Sequence, residues 1–473
     1  MFNRTEVKTG IVHFGVGRFH RAHEALYIQD LLSQGCLEWG ICGVCMLPND
    51  SYVFESLRAQ DCKYTLIERD NSGVKVKQVQ SIIEILNGYL NPEDVFKKLV
   101  CPEVKLVTIT VTEAGYFFDP STKRLDTSNV NIQNDISNHS KPRTLYGYLA
   151  RGLSLRQQMQ ESDSSVKPFT IQSCDNIQGN GDLTRSLLLE FCQLAYPSLV
   201  SWIEANVAFP NSMVDRITPA PTDSEMTYVR EELRSEDRVP VTSESYRQWV
   251  IEDNYCNDKP DWPLVGVQLV ESVKPYEKIK VRLLNGGHMA VGYAGHLAGF
   301  SRVDEVSSDP LFQSYLRAFF SEVEKTLLPV EGVDIRSYQD TLVDRFANPA
   351  IEDQILRLCK DGSAKIPGFI VPTLSELCES SQPSKCVSAV VASYMRFLTI
   401  ACDSDNSTPL DDPEAEKLRS VVSNANGHAS AFLADRTVFG NIVENVKVVE
   451  EIQACYDQIC ENGIQATLQA LIA

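Results

Sequence analysis

Gly10-Ile-Val-His-Phe-Gly15-Val-Gly17-Arg-Phe-His20 is the stretch on which the fold turns. Ile11, Val12 and Phe14 make a short strand-like run that glycines bring to an end. Beyond it Phe19, Ala22, Leu26, Tyr27, Ile28, Leu31 and Leu32 recur at helical spacing. A glycine-rich passage from strand to helix lets backbone N–H groups approach a pyrophosphate at the positive helix end. Gly15, Val16, Gly17 and Phe19 are therefore candidate cofactor contacts. The usual third glycine is His20 here, so the motif leans on its place at the first strand and on Asp50 after the second. An acid there accepts hydrogen bonds from a ribose diol and repels a 2′-phosphate, which favours NAD over NADP. Asp50 equally suits a loop-capping role.

Working outward, Ile41–Met46, Tyr64–Glu68, Val104–Val111 and Pro168–Cys174 read as strands, and 182–194 reads as a helix. Alternation of this kind predicts a parallel sheet covered by helices. Thr112 and Glu113 then fall at the carboxyl end of a strong strand, where open α/β sheets hold ligands. Proline-marked loops at 207–210 and 218–221 punctuate this half. From residue 266 the pattern becomes helical, over 277–300, 309–327, 351–359, 372–379, 388–401, 414–422 and 446–472. The expected architecture is a Rossmann-type dinucleotide-binding domain over 1–265, followed by a helical substrate-binding domain over 266–473.

A chain of 473 residues is long for a single core. The formal charge of −19 opposes binding to nucleic acid, whose partners need a basic face. No apolar run approaches the length of a membrane span, and the N-terminus lacks a signal-peptide pattern, so a cytoplasmic location is expected. The 14 cysteines are scattered. Cys42-Gly-Val-Cys45 has redox spacing but lies in an apolar strand, which makes a core role the expectation. No histidine pair or cysteine cluster has zinc-site spacing, so no metal is expected.

The chemistry-bearing stretch is Lys280-Val-Arg-Leu-Leu-Asn285-Gly-Gly-His288. At about 100° per residue from Lys280, Glu277 falls near ~60°, His288 near ~80° and Asn285 near ~140°. Four polar groups thus share one arc of a helix whose continuation is apolar. Gly286 and Gly287 are poor helix formers and permit close approach of a ligand or another backbone.

Several segments resemble those of the polyol-specific long-chain dehydrogenases. They are His13–His23, Thr110–Tyr116, Ser173–Asn176, Phe209–Pro219, Gln248–Asp253, Lys280–His288, Val343–Pro349 and Arg357–Lys365. They run in consistent order across most of the chain, with departures at Arg18 and at Gln178-Gly179. The resemblance implies an NAD-dependent, metal-independent enzyme that interconverts a mannitol-like sugar alcohol and a ketose. It further implies that Lys280 is the acid–base, and that Asn176 and Asn285 donate to the reacting oxygen. His288 would orient the alcohol, and Glu277 would control proton exchange beside the lysine. Asp215, Arg357 and Lys365 match substrate-binding positions.

Those residue types suit the chemistry. Hydride leaves carbon while a proton leaves oxygen, so the lysine must be neutral, well below its ordinary ~10.4. Neutral amides stabilise a developing alkoxide without adding charge. A fructuronate reductase of the same family, with Arg357 or Lys365 meeting the carboxylate, is the nearest alternative. A catalytically inactive NAD-binding sensor is the alternative from another class. The expected partner is a small polyol or ketose, with the chain a monomer or small homo-oligomer.

Overall fold

The computed structural model describes residues 2–71, 73–119, 122–219, 222–330, 332–403 and 408–473. Ala220 and Pro221, the end of one expected proline-marked loop, lie outside them. The chain forms two compact units, Met1–Lys274 and Pro275–Ala473.

Strands in the first unit are β1 (Thr9–Phe14), β2 (Gly40–Cys45), β3 (Tyr64–Asp70), β4 (Gly73–Val79), β5 (Ile82–Asn87) and β6 (Leu106–Ile109). They continue with β7 (Thr170–Ser173), β8 (Ser212–Asp215), β9 (Val241–Glu244), β10 (Gln248–Glu252) and β11 (Gln268–Val270). The central sheet has the order β5-β2-β1-β6-β7, and every pair in it is parallel. The order reverses between β1 and β6, so the connections after these strands diverge and leave a crevice at their carboxyl ends. This is the Rossmann-type arrangement that the glycine turn implied.

The sheet is apolar on both faces because helices cover both. Val12, Phe14, Cys42 and Val44 enter a core with Leu145, Leu149 and Leu153 of the helix Leu145–Ser162. Ile11, Ile41 and Cys45 face the other way, onto Leu26, Leu31 and Leu32 of the helix Glu24–Ser33. Cys42 and Cys45 thus join different cores, as residues three apart on a strand must. Burial pushes both thiols above their ordinary range, with Cys45 near 12. All the cysteines are free thiols.

Several elements differ from the sequence reading. The Tyr64–Glu68 run is a strand, but β3 belongs to a separate sheet of order β4-β3-β9. The edge of the parallel sheet beside β2 is formed by β5, whose Ile82-Ile-Glu-Ile-Leu mixes buried and half-buried positions. The strong run at 104–111 is a strand only over Leu106–Ile109. The first long helix breaks at His23, whose φ of −113° and ψ of −89° separate Arg18–Ala22 from Glu24–Ser33. The units divide at 274/275 rather than at 265/266, because β11 pairs with β10 and keeps residues 268–270 in the first unit.

The second unit is helical. Its core gathers Met289, Val291 and Tyr293 from the helix Gly286–Leu297, Phe319 and Phe320 from Pro310–Glu324, and Val390 and Tyr394 from Lys385–Ala401. Ile452 and Ile459 of Val446–Ile472 complete it, in a helix kinked at Gly463. Ile335–Phe346 is a further helix that the sequence reading passed over. No helix among the described residues is long and apolar enough to cross a membrane.

Candidate active site

In the first unit the glycine turn follows β1 directly. Gly15 has φ +97°, and a Cβ there would sit 2.0 Å from the Thr110 carbonyl oxygen, so neither conformation nor space admits a side chain. Gly17 donates its N–H to the Gly15 carbonyl at 2.7 Å and caps the helix Arg18–Ala22. A Cβ on Gly17 would meet only the Gly15 oxygen, at 3.9 Å, so the space above it is open. Val16 is buried and plugs the gap over Gly43, where a Cβ would meet its Cγ2 at 2.7 Å. Phe19 is half-buried and stacks on His23, with ring centroids 4.9 Å apart. Val16 and Phe19 therefore hold the turn by packing on Gly43 and His23, while Gly17 leaves room for a ligand.

Asp50 caps its own loop. Its Oδ2 accepts from Met46 N at 3.0 Å and from Leu47 N at 2.8 Å.

At the end of β6, Thr112 has φ +63° and ψ 169°, a region that β-branched residues avoid at a cost of about 1–3 kcal/mol. Thr112 and Glu113 are exposed. The Asp175 carboxylate holds this turn: Oδ1 accepts from Thr112 N at 2.9 Å, and Oδ2 accepts from Val111 N at 3.0 Å and from the Tyr116 hydroxyl at 2.9 Å. Burial raises the Asp175 carboxyl above its ordinary range, against the lowering effect of those donors. Asn176 follows it and is exposed. Asp215 is buried at the end of β8, opposite Gln248 of β10.

Below the glycine turn, His13, His20 and Glu24 bring ligating atoms within 4.8 Å of one another, the kind of group that holds a metal. The two imidazoles are stacked, however, 3.4 Å apart and 9° from parallel. A metal lies in the plane of each imidazole that binds it, about 2.0–2.1 Å from nitrogen, and two parallel planes share no such point. As arranged, His13 is the hydrogen-bonded ring of the two, while both ring nitrogens of His20 are buried without a hydrogen-bond partner among the described residues. His13 Nδ1 lies 2.8 Å from Thr108 Oγ1 and 3.0 Å from Glu24 Oε2, and its Nε2 lies 3.0 Å from the Gly15 carbonyl.

In the second unit the expected continuous helix is three segments: Lys274–Lys280, a π turn over Val281–Asn285, and Gly286–Leu297. The uniform 100° spacing is thereby corrected. A turn with i to i+5 bonding brings residues five apart towards alignment, where an α-helix leaves them about 140° apart. Lys280 and Asn285 are five apart, and both are buried, at 6% and 7% exposure, with Glu277 at 8%. π turns recur at functional sites.

Gly286 and Gly287 serve packing rather than ligand approach. A Cβ on Gly287 would lie 3.1 Å from both Phe320 and Phe346, and one on Gly286 would lie 3.2 Å from Phe319. The His288 ring stacks on Phe346 at 4.3 Å. Its Nε2 is buried without a hydrogen-bond partner among the described residues. Desolvation first, then the charges of Arg357, Arg345, Lys280 and Lys365, holds His288 well below its ordinary pKa, so the ring is neutral. Arg357 makes a two-pronged ion pair with Asp353, and its side chain stays 56% exposed. Lys365 donates to the Arg357 and Leu358 carbonyls at 3.3 and 3.2 Å, and burial lowers its pKa.

The structure thus groups Glu277, Lys280, Asn285 and His288 on one broken helix, with Arg357 and Lys365 among the charges around His288. Gly15, Val16, Gly17, Asp50, Thr112, Glu113 and Asn176 lie just beyond carboxyl ends of central strands. Sequence pattern does not single out Arg345 or Asp175 as site residues, although each stands inside a segment that resembles the family, beside Phe346 and Asn176.

The mannitol dehydrogenase Rossmann domain family matches residues 9–264, and the mannitol dehydrogenase C-terminal domain family matches residues 272–460. A mannitol 2-dehydrogenase of Aspergillus fumigatus is 40% identical over 98% of this chain and 93% of its own length. A mannitol dehydrogenase of Saccharomyces cerevisiae is 37% identical over 100% of this chain and 94% of its own. Among solved structures, the Pseudomonas fluorescens mannitol 2-dehydrogenase in ternary complex with NAD and D-mannitol is 37% identical. It has a TM-score of 0.86 and covers 100% of this chain and 96% of that one. A substrate-free D-sorbitol dehydrogenase is 31% identical, with a TM-score of 0.91, covering 99% and 96%. A glycine turn at a sheet switch point, a lysine and an asparagine buried across a π turn, and matches along nearly the whole length agree: the chain belongs to the mannitol dehydrogenase family.

Proposed function

We propose that the chain is an NAD-dependent polyol dehydrogenase that interconverts a mannitol-like sugar alcohol and its ketose, with Lys280 as acid–base. The π turn that buries Lys280 and Asn285 in one helix carries this reading. The open space over Gly17 and the strand order at β1 and β6 suit a dinucleotide pyrophosphate. When bound, the nicotinamide ring supplies the hydride acceptor.

The Lys280 amine, neutral, takes the hydroxyl proton as hydride leaves the neighbouring carbon. Asn285 and Asn176 donate N–H to the oxygen as negative charge develops on it. His288, neutral and with its Nε2 unpartnered, is ready to share a hydrogen bond with a substrate hydroxyl. Glu277, one helical turn before Lys280, passes the proton on to solvent. Asp215, Arg357 and Lys365 hold the rest of the polyol. Asp50, Thr112 and Glu113 complete the cofactor contacts with Val16 and Phe19, the acid at 50 favouring NAD over NADP.

The cations around His288 give weight to one second reading, a uronate such as fructuronate as substrate. One panel separates the two: NADH formation with mannitol, arabinitol and sorbitol, and NADH consumption with fructose and fructuronate. Turnover of mannitol and fructose supports the polyol reading, fructuronate alone supports the other, and silence across the panel leaves a sensor. Lys280→Ala is expected to lower kcat by about 10²–10⁴ with NADH affinity kept. Near-normal turnover in that variant removes Lys280 as acid–base.

A further inference from the structure

Asp175 is a buried carboxylate with no part in the chemistry just described, yet it stands directly before Asn176. Its two oxygens gather the N–H groups of Val111 and Thr112 and the Tyr116 hydroxyl. That hydroxyl also lies 2.6 Å from Ser173 Oγ, which in turn accepts from Asp175 N at 3.2 Å, so the ring of contacts closes on itself. The Asp175 carbonyl is fixed as well, accepting from Asn180 Nδ2 at 2.9 Å and from Ile177 N at 2.9 Å. Asn180 is anchored in turn to both backbone groups of Ser212 on β8. One side chain therefore ties the end of β6 to the end of β7 at the carboxyl edge of the central sheet.

Thr112 is the residue that needs the tie. With φ +63° and ψ 169° it occupies a conformation that is essentially glycine's, and such strain persists only where the surroundings over-determine it. Two adjacent amides aimed at one carboxylate are that determination. A plain extended path here would turn the Thr112 amide away from Asp175 and swing Glu113 to another position.

We propose that Asp175 is a positioning residue for the dinucleotide site: its carboxylate holds Thr112 in the strained conformation, and so fixes the Thr112–Glu113 turn where the cofactor needs it, beside Asn176. The inference rests on the NAD-dependent reading above. Asparagine at 175 keeps the shape but offers one acceptor oxygen, and its NH2 group then faces a backbone N–H that it cannot bind.

The test compares wild type with Asp175→Asn, Tyr116→Phe and the double variant Asp175→Asn/Thr112→Gly. NADH is titrated by quenching of tryptophan fluorescence, and hydrogen–deuterium exchange is followed over residues 111–116. Asp175→Asn is expected to raise the NADH Kd at least tenfold and to speed exchange in that segment. Adding Thr112→Gly should recover at least threefold, because glycine holds the conformation without cost; a merely structural role for Asp175 would give no such rescue. Tyr116→Phe, which removes one donor only, should raise Kd about threefold, and it carries the test if Asp175→Asn fails to fold. NADH binding within twofold of wild type in Asp175→Asn, or a double variant no tighter than the single one, overturns the proposal. Wild-type protein that binds no NADH removes the functional reading instead, while the exchange rates still report whether Asp175 clamps the turn.

Discussion

At the scale of single residues, Asp50 shows how one carboxylate can serve two ends. Its Oδ2 takes both loop amides, from Met46 and Leu47, so the capping role weighed at the outset is what the fold displays. A ribose diol would need only the remaining acceptor capacity of the same group. Asp50→Asn separates the two uses, because an amide oxygen still accepts from the loop but no longer repels a 2′-phosphate. The expected outcome is an unfolding midpoint within about 1 °C of wild type and a rise of about tenfold in kcat/KM for NADP relative to NAD. An equal fall with both cofactors would leave Asp50 as a loop residue alone. Asp175 makes the complementary point. Acidic and adjacent to a flagged asparagine, it gave no sign in sequence of which amides it would meet, because those partners lie 63 and 64 positions away.

At the scale of elements, strands buried on both faces and helices with an apolar stripe were legible, since each repeats a pattern every few residues. Edge strand β5 and the helix Ile335–Phe346 were not, because partial exposure mixes polar residues into the repeat. The π turn was invisible for another reason: a single wide turn changes the phase of a helix without changing its composition. Its neighbour Gly287 offers a test at this scale. Alanine there meets Phe320 and Phe346 at 3.1 Å, and Phe346 is the ring beneath His288. The gain in helix propensity, about 1 kcal/mol, offsets an overpacking cost of about 1–3 kcal/mol, so the net loss of stability is small. Displacing Phe346 moves the imidazole, and Gly287→Ala is expected to raise the polyol KM at least fivefold with NADH affinity unchanged. Gly292→Ala, which meets Leu358 Cβ at 2.9 Å, is the control; it should cost stability without that selective rise in KM. Equal KM values in the two variants would detach His288 from the ring below it.

At the scale of the whole molecule, folding buries histidines that must stay neutral, and this sets a limit on the acid side. Desolvation, then the charges of His13, Arg21 and His23, holds His20 well below its ordinary value. Desolvation takes His23 to about 3, with Arg216 and Arg247 adding to the fall and the Gln248 carbonyl and Asp215 opposing it. In the unfolded chain both titrate near ~6.5. The unfolded state therefore binds the protons first, so this stability is complete above about 6.5 and is lost as pH falls towards the folded values. Each histidine contributes a slope of about 1.4 kcal/mol per pH unit once it is protonated in the unfolded state, or about 2.7 for the pair. The carboxyls of Asp135, Asp175 and Glu322, raised by burial, have the opposite sign, relieving strain as they protonate. Their effect sets in above the unfolded carboxyl value of about 4 and adds stability as pH falls, so the loss on the acid side is assigned to a histidine by comparing variants. Scanning calorimetry at pH 7.0 and 5.5 should show a marked fall in the unfolding midpoint of wild type. His23→Gln keeps a donor for the Gln248 carbonyl and cannot take up a proton, so its fall should be visibly smaller. Parallel falls in the two proteins would show that His23 does not set the acid limit, and would move the search to the other histidines that burial holds low, His20 and His288.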